Sequence, residues 1–433
     1  MVDISVLTVP IPENIRREII LGNISNAENL IKKYLEFSKD ALVRERLLIE
    51  LERLKRMDKS FPLKRKDLLK SLKNNIKDFD NTELEYLIKN GYVDRIFLNG
   101  EERFMEKSIE NIFFLNPEMK KRKIETKIEK KDLLDSRIKK IMEGEILRYK
   151  ITAGIELSVD KEAPYHVWLP IPIENDIISN VKILKTYPEK FKKSENSMQA
   201  TVNFYDTEKR FMVEFSYEIT ETRISRREGI FETRDFVDEK FPHVVFTNHL
   251  KTLTEKIIEG EVSNYKKALK IYKWITENVY YSYVPPYIFF DNISEFAATN
   301  LKGDCGFMAM LFITMCRIAG IPAKWQSGWY ITPEKVTPHD WAQVYLEGYG
   351  FVPVDASFGN VLKGNARYRD FYFGNMDGFR MVSSEDFQST FDPEKKFIRS
   401  DPVDNQVGEI ETESENIFDF RSKMYVKSFE RVQ

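Results

Sequence analysis

The chain has two cysteines, Cys305 and Cys316, and the first stands where a thiol could do chemistry. It lies in Gly303-Asp304-Cys305-Gly306, ahead of a nearly apolar run from Phe307 to Ala319. Gly303-Asp304 reads as a helix start with Asp304 as N-cap, so Cys305 falls in the first turn. There the helix dipole favours a thiolate, and the backbone N–H groups have no helical partner. A thiolate is the nucleophilic form of cysteine, and free N–H groups can receive an oxyanion. The plainer use of a free cysteine is as a small buried hydrophobe. Cys316, mid-run among Phe312, Met315 and Ile318, is read that way.

His339 and Asp355 are the partners such a thiol would need. Of the four histidines (166, 243, 249 and 339), only His339 opens a strand with a helix pattern close before it. In Pro338-His339-Asp340-Trp341-Ala342-Gln343-Val344-Tyr345, period-two alternation puts His339, Trp341, Gln343 and Tyr345 on one face. Asp355 ends the next strand, Gly350-Phe351-Val352-Pro353-Val354-Asp355, after the short Glu347-Gly348-Tyr349 connection. A two-residue turn at Gly348-Tyr349 would leave His339 and Asp355 on opposite faces, so pairing them requires an odd-length turn or a bulge. The commoner use of such an aspartate is to cap a turn. A zinc site from these residues is a poor reading, because no ligand-spaced pair occurs. No acidic loop of the EF-hand type is present either, and no metal or other cofactor is expected.

The elements that must position these residues are legible in the hydrophobic pattern. Up to residue 143 the chain reads as mostly helical. A capping box at Ser25/Glu28 precedes Leu30, Ile31, Tyr34 and Leu35, and an amphipathic stretch runs from Ala41 to Met57. Further helices are expected over Leu68–Ile76 and Thr82–Lys89, with a type I′ hairpin at Asn99-Gly100. The charged segment Lys120–Lys140 is a linker or an exposed helix. From 144 to 245 the period becomes two, in five strand-like runs, which predicts a sandwich-like β-rich domain. From 246 to 433 helices return at Ala268–Val279 and Cys305–Gly320. Strands follow at Ala323–Tyr330, Asp340–Leu346 and Phe351–Asp355, then a tail that wraps this core and ends in a strand near Met424–Phe429.

Composition bounds the partners. The 433 residues are 42% hydrophobic and 31% charged, which suits a globular chain. The 67 basic and 69 acidic side chains leave a net charge of −2, so no global field recruits nucleic acid or an anionic membrane. Two cysteines exclude a disulfide scaffold. No run reaches the length of a membrane span, and the first twenty residues lack a signal-peptide pattern, which leans toward a cytoplasmic location.

The order Gly303-Asp304-Cys305, Cys316-Arg317-Ile318-Ala319-Gly320-Ile321-Pro322-Ala323-Lys324, Gly328-Trp329, His339-Asp340-Trp341 and Phe351-Val352-Pro353-Val354-Asp355 resembles the transglutaminase-like superfamily. The resemblance runs from about Tyr265 to Gly359. Lys324 and Phe351 stand where the family usually has arginine and tryptophan, and neither touches the three reactive residues. The β-rich segment is similar to domains that precede this core in some bacterial members. The resemblance implies an α+β, papain-like core, in which a helix bearing the cysteine packs on an antiparallel sheet bearing histidine and aspartate. It implies Cys305 as nucleophile forming a thioester, His339 as general base and acid, and Asp355 as the residue orienting the imidazole. The Cys305 N–H would be one oxyanion donor, and Tyr281 or Tyr283 a second. Trp329 and Trp341 are either core or walls of a substrate groove. The expected substrate is a peptide or protein amide, hydrolysed rather than cross-linked. The alternative is a catalytically silent scaffold that binds protein or glycan.

Overall fold

The computed structural model describes residues 4–124, 132–194, 196–226, 233, 235–361 and 363–432. Helices fill the first part: Glu13–Ile20, Ile24–Phe37, Ala41–Ser60, Arg65–Asn75, Glu83–Lys89 and Ser108–Leu115. Asp40 caps Ala41–Ser60 by accepting from the Leu42 and Val43 N–H groups. The capping box expected at Ser25/Glu28 does not form. The helix starts at Ile24, ahead of Ser25, so Ser25 lies inside it and its N–H bonds to Asn99 Oδ1 at 3.0 Å instead. The hairpin turn has the positive φ values of a type I′ turn, 48° at Asn99 and 83° at Gly100. Of the charged segment, Asp132–Glu143 is helix, and residues 125–131 lie outside the described ones.

Leu68, Leu72, Leu84, Leu87 and Phe104 form a small core of their own in this helical part. Charged residues join it to the rest. Arg53 donates to the Ile288 carbonyl (2.5 Å), to Glu50 (2.8 Å) and to Asp291 (2.8 Å), and all but Asp291 are buried.

The β-rich part holds two four-stranded sheets. One runs in the order Arg421–Val432, Arg148–Ser158, Arg210–Thr220, Ile178–Tyr187, and every pairing is antiparallel. The other runs Glu409–Glu411, Tyr165–Pro170, Thr201–Asp206, Lys192–Lys193. The strand foreseen near Met424–Phe429 thus spans Arg421–Val432 and pairs with Arg148–Ser158. The end of the tail completes sheets that begin near Arg148, while Arg380–Ser384, earlier in the tail, joins the sheet that carries His339.

The remaining part packs the helices Asn248–Ile258, Asn264–Asn278 and Cys305–Ile318 on an antiparallel sheet ordered Gly350–Val354, Val336–Leu346, Ala323–Ile331, Arg380–Ser384. Apolar on all sides, Cys305–Ile318 is buried along nearly its whole length, Cys316 included. Leu346 pairs with Gly350 and Ala342 with Val354, so the connection is the three-residue turn Glu347-Gly348-Tyr349. That odd length puts His339 and Asp355 on one face, as their pairing requires. Among the described residues no helix is long and apolar enough to cross a membrane.

Candidate active site

Cys305 is set by the residues on either side of it. Asp304 accepts from the Phe307 N–H at 3.2 Å and so caps the helix. Gly303 lies in a parallel pairing with Tyr281, where a Cβ would fall 2.4 Å from Phe307 Cβ. A Cβ at Gly306 would fall 2.1 Å from the Tyr287 hydroxyl. Both glycines therefore permit close packing around the thiol. Cys305 is partly exposed, and it faces a cavity of about 610 Å³ that His339 also lines.

The His339 ring is held from three directions. Its Nε2 is 2.7 Å from Asp355 Oδ2, its plane stacks on Trp341 with centroids 5.7 Å apart, and Phe358 meets it edge-on at 5.2 Å. Asp355 is fully buried and fully partnered. Its Oδ2 also accepts from Arg380 Nε (3.0 Å) and Nη2 (2.8 Å). Its Oδ1 accepts from Ser357 Oγ (2.8 Å) and the Phe358 N–H (3.0 Å). Burial alone would raise its pKa, but the charges of His339 and Arg380 outweigh that and hold the carboxyl well below the usual carboxylate range. With Nε2 turned to Asp355, Nδ1 is the ring nitrogen left to serve the cavity.

Arg380 was not assigned a role from sequence. It is 1% exposed, and it bridges Asp355 to Asp377 (Nη1–Oδ1 2.6 Å). It also lies over the Phe358 ring at 4.3 Å.

Asp340 was missed for a different reason. Strict alternation turns it away from the face of His339, yet at this end of the strand its carboxylate reaches the thiol. Cys305 Sγ donates to Asp340 Oδ2 at 3.5 Å, and the Tyr287 hydroxyl lies 3.3 Å from the same oxygen. Gln406 Nε2 donates to Asp340 Oδ1 and, at 3.0 Å, to the His339 carbonyl. Burial, with Asp404 and Asp304 nearby, pushes the Asp340 pKa well above the usual value. Burial also lifts Asp304 to about 6. The helix dipole that favours a thiolate at Cys305 is opposed by the surroundings of the sulfur. Burial, then the charges of Asp340 and Asp304, push the Cys305 thiol well above the ordinary cysteine value.

Tyr281 and Tyr283 both line the cavity. Burial, then the charges of Cys305 and Asp304, push the Tyr281 hydroxyl well above the ordinary tyrosine value. Trp329 and Trp341 are not groove walls. Trp329 is fully buried against Phe215 (5.6 Å) and donates to the Gln406 carbonyl at 2.7 Å. Trp341 is 2% exposed and donates to Gln326 at 2.8 Å. Both indoles bury their area in the core and satisfy their N–H there. The aromatic walls are Tyr281, Tyr283, Tyr287, Tyr330, Phe358 and Phe114.

Residues 251–356 match the family model of the transglutaminase-like superfamily. An uncharacterized protein of Haemophilus influenzae is 23% identical over 252 residues, which is 48% of this chain and 68% of that protein. Among solved structures, a cysteine protease candidate from Cytophaga hutchinsonii aligns with a TM-score of 0.45 at 15% identity, covering 67% of this chain and 92% of that one. The periplasmic domain of TgpA from Pseudomonas aeruginosa aligns with a TM-score of 0.30 at 10% identity, covering 52% of this chain and 91% of that one. The matched span takes in the cysteine helix and the histidine strand and ends one residue past Asp355, so the part of the chain that carries all three residues is transglutaminase-like.

Proposed function

We propose that the protein is a cysteine-dependent acyl-transfer enzyme acting on peptide or amide carbonyls, and that it hydrolyses them rather than cross-linking them. The observation that carries this reading is the buried His339–Asp355 pair, 2.7 Å apart and braced by Arg380, with His339 on the wall of the cavity that Cys305 faces. A histidine used only for packing needs no fully partnered carboxylate behind it.

In this reading the Cys305 thiol leaves Asp340 and gives its proton to His339 Nδ1, while Asp355 holds Nε2–H and stabilises the imidazolium. The sulfur attacks the carbonyl carbon. The oxyanion forms against the Cys305 N–H and the Tyr281 hydroxyl. The C–N bond breaks as His339 returns the proton to the leaving amine, which leaves a thioester. Water, deprotonated by His339, then attacks the thioester. The acid departs and the thiol regains its proton. An amine in place of water would give cross-linking by the same steps.

One observation favours a silent binding module instead: the thiol bonds to Asp340, and its raised pKa disfavours the thiolate. Incubating the protein with a proteome-derived peptide pool and reading new termini by mass spectrometry separates the two. Cleavage lost in Cys305→Ala, with an unchanged circular dichroism spectrum, supports the enzyme. Cleavage by neither protein, or equally by both, supports the module.

A further inference from the structure

The helical part reaches into the cavity. Phe114, near the end of the helix Ser108–Leu115, lines it together with Tyr281 and Tyr283. The three rings form one cluster. Phe114 meets Tyr281 at 5.1 Å and Tyr283 at 6.0 Å, and the two tyrosines are 6.0 Å apart, all at steep angles. Unlike the core aromatics, Phe114 is 39% and Tyr283 37% exposed, and both line the cavity that Cys305 also lines. Aromatic surface turned into a cleft is suited to receive an apolar group.

The cluster is held in place. Asn111, on the same helix face one turn earlier and 2% exposed, grips the Tyr283 backbone at two points. Its Nδ2 donates to the Tyr283 carbonyl at 2.9 Å, and its Oδ1 accepts from the Tyr283 N–H at 2.7 Å. Lys302, just before Gly303, pairs with Asp94 of the helical part at 2.6 Å. Tyr281 in turn pairs with Gly303, two residues from Cys305. Helix, aromatic strand and nucleophile are thereby set in a fixed relation.

We propose that Phe114, Tyr281 and Tyr283 form the specificity subsite of the enzyme, receiving a large apolar or aromatic side chain of the residue whose carbonyl Cys305 attacks. The helical part is then a wall of the active site, and Phe114 is its specificity-determining residue. The inference rests on the reading of Cys305 as nucleophile.

The test compares alkylation rates of Cys305 in the full-length protein at pH 9 by iodoacetamide and by N-(2-phenylethyl)iodoacetamide, with the adduct mapped by mass spectrometry. An apolar subsite should make the phenylethyl reagent faster by about tenfold. That ratio should fall to within about twofold in Phe114→Ala, where the pocket loses its wall. Phe114→Trp, which keeps an aromatic ring on the helix and narrows the space, should lower the ratio as well and guards against a folding defect in the alanine variant. A wild-type ratio near one, or one unchanged in both variants, overturns the subsite while leaving Cys305 a reactive thiol. Labelling of Cys305 by neither reagent overturns the nucleophile reading and the subsite with it.

Discussion

Asp340 and Arg380 decide the electrostatics of the site between them. Asp340 places an acceptor against the thiol, and Arg380 supplies the positive charge that keeps Asp355 ionised. Replacing Asp340 with asparagine keeps an oxygen for Gln406 but removes the carboxyl that becomes negative beside the sulfur once the pH passes its raised pKa. A negative neighbour raises a thiol pKa, so its loss lowers it. The pH profile of Cys305 alkylation should move down by about one unit, a tenfold gain in thiolate on the acid limb. A profile that stays put would mean the contact carries no weight. Arg380→Met strands two buried carboxylates, Asp355 and Asp377, and should cost about 3–5 kcal/mol in urea unfolding. Sequence spacing singled out Cys305, His339 and Asp355 because each sits at a helix or strand end. Arg380 sits in a tail with no period, and its partner lies 25 residues away, so nothing local pointed to the pair.

The turn Glu347-Gly348-Tyr349 does at the level of elements what those residues do singly. Side chains alternate along a strand, so one residue more or less in the turn moves every later side chain to the other face. Deleting Gly348 leaves a two-residue connection and turns Asp355 away from His339. Peptide cleavage should disappear, and the unfolding midpoint should fall, since Arg380 loses a partner. Full cleavage in the deletion variant would mean that His339 needs no carboxylate. The odd turn was derivable from parity alone. Which aromatic side chains line the cavity was not, because Trp329 and Trp341 share a strand pattern with residues that do line it. Only packing against Phe215 and Gln326 takes the two indoles inside.

Across the whole molecule, the buried carboxyls set the pH response. Burial raises Asp304 to about 6 and Asp401 to about 7, and Asp340 and Asp404 are raised as well. In the unfolded chain such groups titrate near about 3.9. Between those values the folded state holds more protons than the unfolded one, so stability falls as pH rises from about 4 to 7. Asp355 works in the opposite sense. Its folded pKa is depressed, so its contribution is present above about 4 and is lost as pH falls below that. Urea unfolding should therefore show a higher midpoint at pH 5 than at pH 8, and Asp401→Asn should narrow the difference. A midpoint that climbs steadily from pH 5 to 8 would show that the carboxyls are hydrated.

What the sequence determined by itself was local: the capped helix start under Cys305, the alternation that aligns His339 with Trp341, the turn parity that brings Asp355 to the same face, and the order of motifs that marks the family. Each follows from the backbone periods of helix and strand, which a few neighbouring residues are enough to set. Tertiary structure alone decided that the last strands close sheets begun near residue 148. It alone brought Asp340 to the thiol, Arg380 behind Asp355, and Phe114 from a separate helical core to the rim of the cavity. Those contacts join residues far apart in the chain, and burial at the meeting point, rather than residue type, gives their charges and rings their effect.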